Sequence, residues 1–251
     1  MQILLLLLAG FAGGTVNAIA GGATFFTFPA MLAAGIPPVA ANASNTTALV
    51  PASLIAAWTQ RRELSDLRGR TWVLAVLGLI GGAAGAILLL VTSDRTFMAL
   101  VPWLLIAATL LFAFSPRLLA WVRARRGSGD GLLRLTPGTI LLVAVCAVYG
   151  GYFGAGIGIM LLAGLAIAGI EDLLVANALK NGLAALINGV SVIVFVAQNV
   201  VVWPAALTMM AGAALGGFAG AHIARRLPQR LFRGIVITVG TLLSIWYLLR
   251  A

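Results

Sequence analysis

Apolar residues run along this chain in blocks of roughly twenty, separated by glycines, prolines and short arginine-rich segments, which predicts a bundle of membrane-crossing helices. Residues 2–36 form the first apolar block, interrupted by Gly13, Gly14, Asn17, Gly21, Gly22 and Pro29. As one straight helix it would be about 53 Å long, too long for a hydrocarbon core ~30 Å thick, while two full spans need roughly 40 residues and a turn. Two short helices meeting inside the membrane fit that length. Spans are then expected at 39–59, 72–91 and 97–114, with an arginine-rich loop at 60–70 and a tight turn at 93–95. Residues 117–136 read as a linker. The second half follows the same plan, with a glycine-broken stretch at 137–170, spans at 173–197, 202–223 and 232–249, and a turn at 227–233.

The correspondence between halves holds at a nearly constant offset. At 134 residues Gly22, Gly35 and Ile36 match Gly156, Gly169 and Ile170, and at 135 Ala41-Asn42-Ala43 matches Ala176-Asn177-Ala178. Further on, Gly81-Gly82, Ala84-Gly85-Ala86, Arg95 and Phe97 match Gly216-Gly217, Ala219-Gly220-Ala221, Arg230 and Phe232. Such a pattern reads as an internal repeat. Expected units are a first membrane repeat at 1–116, a cytoplasmic linker at 117–136 and a second membrane repeat at 137–251.

Composition agrees with the membrane reading: of 251 residues 62% are hydrophobic and 9% charged, and the mean hydropathy is +1.10. The net charge of +10 does not call for nucleic acid. Thirteen of the sixteen basic residues lie in three short segments: Arg61, Arg62, Arg68 and Arg70; Arg117, Arg123, Arg125, Arg126 and Arg134; Arg225, Arg226, Arg230 and Arg233. Placing all three in the cytoplasm satisfies the positive-inside rule. Residues 199–201, which answer to the first of those loops, then fall outside, so the halves are expected to be inverted. Inversion needs an odd number of segments per half. The expected fold is therefore all-α and integral to the membrane, two inverted repeats of about five segments each, the first two short and glycine-broken, with both termini outside. The opening apolar run lacks a basic start and reads as a membrane segment rather than a cleaved signal.

Polar residues are confined to particular faces. In 173–197, Asn177, Lys180, Asn181, Asn188 and Ser191 fall within an arc of about 100° on one helix face. In 39–60, Asn42, Asn45, Thr46, Ser53 and Gln60 do the same, and under the 135 offset Asn45 answers to Lys180 and Thr46 to Asn181. A lysine about 11 Å into hydrocarbon is costly where it faces lipid, so Lys180 is expected to point inward. The glycine-rich breaks, 20–24 around Gly21 and Gly22 and 150–158 around Gly154 and Gly156, would present unpaired N–H groups where helices restart, which suits an anion. Gly81, Gly82, Gly85, Gly216, Gly217 and Gly220 read instead as packing positions. The expected substrate-binding set is Lys180, Asn177, Asn181, Asn188, Asn42, Asn45, Thr46, Gly21, Gly22, Gly154 and Gly156.

Enzyme chemistry finds little support. His222 is the one histidine and reads as interfacial, no carboxylate lies at mid-membrane, and Asp172 with Glu171 reads as a solvated helix cap. Cys146 reads as a small core residue, and no metal or cofactor is expected.

The residues Gly10-Phe11 through Asn17-Ala18, Gly21-Gly22 to Pro29, the run from Gly150 through Gly158, and Ala176-Asn177-Ala178-Leu179-Lys180-Asn181 resemble the sulfite exporter TauE/SafE family of bacterial membrane permeases. The resemblance covers nearly the whole chain. It implies a multi-pass protein of the bacterial inner membrane, a secondary transporter of small sulfur-containing oxyanions or organosulfonates such as sulfite working by alternating access. An anion channel or a carrier of small carboxylates is the alternative. Expected partners are the small anion, the lipid bilayer and, as an option, a second copy of the chain in a homodimer.

Overall fold

A computed structural model describes residues 1–19, 22–67, 71–126, 135–170, 172–223 and 229–249. Among them lie ten α-helices and no strand: α1 Gln2–Ile19, α2 Thr24–Ala33, α3 Pro38–Thr59, α4 Thr71–Val91, α5 Asp94–Arg126, α6 Pro137–Tyr152, α7 Ile157–Ile167, α8 Leu173–Ala197, α9 Trp203–Ile223 and α10 Gln229–Leu248. A single 3-10 helix, Arg61–Leu67, follows α3. Each apolar stretch expected to hold two short helices does so, giving five helices per half.

Among the described residues four helices are long and apolar enough to cross a membrane: α4, the Asp94–Arg117 part of α5, Leu174–Ala197 of α8 and Leu231–Leu248 of α10. α3 and α9 match them in length, α3 carrying Asn, Ser and Thr residues in its first half and α9 glycines at 212, 216, 217 and 220. α5 departs most from expectation, continuing to Arg126 through Pro116 where a linker was expected from 117. The proline ring removes the N–H that would bond the Phe112 carbonyl. Donors arrive from elsewhere, the Ser115 hydroxyl 3.2 Å from Phe112 O and, from α10, Arg233 with its Nε 2.9 Å from Phe112 O and an Nη 2.8 Å from Ala113 O, so the helix persists past the proline.

The short helices α2 and α7 end in the same hydrogen-bond pattern. α2 ends with Ala34 N–H bonded to Ala30 O, Gly35 N–H to Leu32 O and Ile36 N–H to Met31 O; α7 ends with Ala168 bonded to Gly164, Gly169 to Ala166 and Ile170 to Leu165. Gly35 and Gly169 carry φ of +80° and +98°, the left-handed conformation that closes a helix in this way.

Helices of the two halves are interleaved. α1 packs along α9 with glycine on both sides: a Cβ on Gly14 would strike the Ala213 carbonyl, and one on Gly216 the Phe11 carbonyl. The pairing advances from Gly10 beside Met209 to Thr15 beside Gly220, so the two helices run parallel. α4 and α6 meet in the same manner, Gly81 beside Ala147 and Gly85 beside Val148 and Tyr152. In contrast, α3 and α8 run antiparallel. Ser44 near the start of α3 accepts from the Val202 N–H just past α8, at 2.9 Å, whereas Gln60 at the end of α3 bonds Asn181 in the first half of α8, at 2.8 Å. α5 and α10 are antiparallel too, because Arg233 lies at Phe112 and Gly240 farther back, at Thr109. A buried aromatic cluster, Phe28, Phe97, Tyr152 and Phe153, joins α2 and α5 to the end of α6 through edge-on contacts with centroids 5.6–6.2 Å apart. Outward faces carry leucine, isoleucine and the exposed Trp58, Trp72, Trp103 and Trp203, as lipid contact requires.

Close glycine packing gives a direct test. Gly216→Val should force α1 and α9 apart and lower stability by about 1–3 kcal/mol, the usual cost of overpacking. Gly234→Ala, with nothing within 4 Å of its new methyl group, should melt like the wild type. Thermal unfolding of both purified variants in one detergent checks the difference.

Candidate functional site

α6 stops at Tyr152 because two glycines turn the chain: Gly154 and Gly156 both have φ +76°, a conformation that side-chain-bearing residues rarely adopt. Four residues later the chain restarts as α7. Inside a membrane the carbonyls exposed by such a break need donors. Tyr152 O receives the amide nitrogen of Asn42 from α3 at 2.9 Å, Ala155 O receives the Tyr149 hydroxyl at 2.7 Å, and Tyr149 O accepts from both Phe153 and Gly154 N–H. Gly156, the residue before α7, packs 3.5 Å from Ala108 of α5, measured from the place its Cβ would hold.

The polar face of α8 lies along this break. Asn188 Oδ1 is 3.9 Å from the Cβ position of Gly154, and the Lys180 Cδ is 3.5 Å from that of Gly158, in the first turn of α7. Lys180 is half-buried, and its ammonium donates to Asn177 Oδ1 at 3.2 Å. The expected inward direction is what is found. An ammonium has three donors, so one contact to Asn177 leaves it capacity for anionic oxygens. In the opening turn of α7 the Ile157 N–H bonds Gly154 O and the Ile159 and Met160 N–H groups bond Gly156 O, so what the turn adds beside the lysine is its positive dipole end.

The remaining expected residues divide. Asn42 and Asn45 are each 1% exposed on α3, and Thr46 is half-buried with its hydroxyl bonded to Asn42 O at 3.0 Å. Asn181 faces away from the break toward Gln60, linking α8 to the end of α3. Ser191 is structural: its hydroxyl reaches Gly82 O of α4 at 3.2 Å and Ile187 O at 2.8 Å. Gly22 has φ +94° as a helix break requires, but its neighbours Phe25, Phe112 and Val236 are apolar. Gly21 and Glu171 lie outside the described residues. Asp172 caps α8, accepting from Leu174 N–H at 2.7 Å. Lys180, Asn177, Asn188, Gly154 and Asn42 are therefore brought together at the second break, while Asn181 sits at its margin.

Several contributors escaped sequence reasoning. Ser44 and Arg233 bond backbone groups of distant segments, which no local pattern signals, and Tyr149 reaches six residues on, across the break, to Ala155 O. An outward groove lined by Leu88, Val145, Val148 and Tyr149 is apolar and belongs to the lipid-facing surface.

The profile of the family described as "Sulfite exporter TauE/SafE" matches residues 6–247. The chain belongs to the TauE/SafE family. Among its relatives, a "Probable membrane transporter protein" of Haemophilus influenzae is 29% identical over 244 residues, covering 96% of this chain and 92% of the relative. "Probable membrane transporter protein ORF9" of a Sinorhizobium species is 29% identical over 242 residues, 96% of this chain and 90% of its own. "Probable membrane transporter protein YfcA" of Escherichia coli K12 is 28% identical over 240 residues, 95% and 85% respectively. No solved structure matches. As a TauE/SafE protein the chain is a multi-pass membrane protein of a transporter family, not an enzyme.

The roles assigned to Ser191 and Arg233 predict stability effects. Ser191→Ala should cost about 1 kcal/mol, the loss of a neutral hydrogen bond, whereas Arg233→Met should cost about 1–3 kcal/mol by removing the charged hydrogen bonds to the Phe112 and Ala113 carbonyls and leaving Phe112 O with the Ser115 hydroxyl alone. Denaturation midpoints in detergent, with Arg233→Lys as a partial rescue, test the ranking.

Proposed function

We propose that this protein is a secondary transporter of small sulfur-containing oxyanions or organosulfonates, sulfite being the simplest, and that it works by alternating access. The observation that carries this reading is a lysine set inside a membrane helix, half-buried, bonded to Asn177 and held against the opening turn of α7. A cation there is costly unless it meets an anion or a wet cavity. Lys180, the positive dipole end of α7 and the Asn188 amide would together supply charge and a hydrogen-bond donor to an oxyanion. Gly154 and Gly156 shape the adjoining backbone in this proposal, with Asn181 at its margin.

Two inverted halves, 1–116 and 137–251, joined through a cytoplasmic linker, would supply the alternation. Supporting this are the antiparallel packing of α3 with α8 and of α5 with α10, and the parallel pairs α1 with α9 and α4 with α6, which a two-fold axis in the membrane plane would generate. Rocking one half against the other would open the lysine to each side in turn. In this reading the arginine-rich segments lie in the cytoplasm, so that both termini and residues 199–201 would be outside and the loop after α3 inside.

In proteoliposomes the wild type should show saturable sulfite flux with counterflow. Lys180→Met should melt at or above the wild-type temperature without ligand, since a buried charge is removed, yet bind sulfite about 10–100-fold more weakly, as expected for losing a charged hydrogen bond. Sulfite-induced thermal stabilisation measures this, and an undiminished shift in Lys180→Met defeats the assignment. Orientation has its own test in a Cys146→Ala background. Asn199→Cys should react with an impermeant maleimide on intact cells, and Arg62→Cys only after the membrane is opened.

A further inference from the structure

Two amide oxygens, Asn42 Oδ1 and Asn45 Oδ1, are buried without a hydrogen-bond partner, and their residues are each 1% exposed. Among the described residues one other buried side-chain atom shares this condition, Thr109 Oγ1, which lies against Gly240 of α10. An unpaired buried polar group costs about 1–3 kcal/mol, so such atoms call for an explanation. An anion is not one. Both atoms are acceptors and repel anionic oxygen, and the Asn42 amide nitrogen is already committed to Tyr152 O.

The internal repeat supplies the explanation. At the offset of 135, Asn42 corresponds to Asn177 and Asn45 to Lys180. In the second half, Asn177 Oδ1 holds the Lys180 ammonium at 3.2 Å. In the first half the amide oxygen is kept, but the residue that would bring the positive charge is an asparagine, which brings a second oxygen instead. One copy thus carries its cation covalently, and the other carries two oxygens where a cation would sit. Residues at i and i+3 on a helix have Cβ atoms roughly 5–6 Å apart, so both oxygens can converge on one ion.

We infer that Asn42 and Asn45 form a binding site for a small alkali cation, sodium in the first instance, which takes the place that the Lys180 ammonium holds in the other half. Neutral amide oxygens suit a hard monovalent ion, and no cluster of three His, Cys, Asp or Glu residues among the described residues would hold a divalent metal. Amides do not titrate in the accessible range, so the pair cannot store a proton. Carbonyl oxygens where α6 unwinds, close to the point where Asn42 bonds Tyr152, are the type of ligand that completes a cation shell in broken-helix transporters. The inference rests on the transporter reading and deepens it: the ion would be the driving ion, bound in one half, with the anion bound in the other.

Thermal unfolding of the full-length protein in sodium chloride and in choline chloride at equal ionic strength, without sulfite, tests the site. Sodium should raise the apparent Tm of the wild type saturably. Asn45→Leu should lose that response. Asn45→Lys should melt at the same temperature in both salts, since the variant brings its own ammonium. Equal wild-type melting in the two salts overturns the proposal whatever the variants do, as does a full sodium response in Asn45→Lys. Sulfite-induced stabilisation measured in choline is the separate readout. Its absence with the sodium response intact sinks the anion reading alone, and the reverse result sinks only the cation site.

Discussion

A carbonyl stripped of its helical N–H partner has no water to turn to inside a lipid bilayer, and this requirement shapes the structure around its breaks. Where α6 stops, Asn42 and Tyr149 reach the exposed oxygens of Tyr152 and Ala155. Where Pro116 interrupts the ladder of α5, Arg233 reaches Phe112. Where the chain leaves α8, Ser44 receives Val202 N–H. Three of these four donors or acceptors come from a different half of the molecule from the group they serve. Breaking a helix in the membrane therefore ties the halves together, since the polar backbone exposed in one is satisfied largely by the other.

Glycine performs the complementary task. α1 with α9 and α4 with α6 approach so closely that added Cβ atoms would meet opposing carbonyls, and those contacts hold the frame rigid around the break. Polar side chains then have little room to choose their direction. Lys180 lies against Gly158, a position with no side chain, so its stem has a slot through which the ammonium reaches Asn177. Small residues and the one intramembrane lysine are parts of the same arrangement.

Much of this was legible in the sequence because glycine, length and period are local signals. The excess length of residues 2–36 and 137–170 forced two short helices in each, and both are present. The inward direction of Lys180 followed from the cost of a charge in lipid. Partners were not legible. Nothing near Asn42 announces Tyr152, 110 residues away, and nothing in the polar stripe separates Ser191, a bridge to α4, from Asn188, which lies at the break. Helical periodicity gives the face of a residue, but what stands opposite that face depends on packing between distant segments. The extension of α5 to Arg126 was missed for the same reason: 117–136 reads as a linker from its own residues, and the guanidinium that serves the Phe112 carbonyl sits in α10.

The interleaving of α1 with α9 carries a consequence for biogenesis. Thr15 bonds Gly216 across 201 residues, so the ribosome must deliver most of the polypeptide before α1 meets the surface it is shaped for. Until then its bare glycine flank has only lipid, or an insertion chaperone, for company. Assembly must pass through a long-lived state in which the earliest segment waits, and a nascent chain arrested before α9 emerges should be the form most open to degradation.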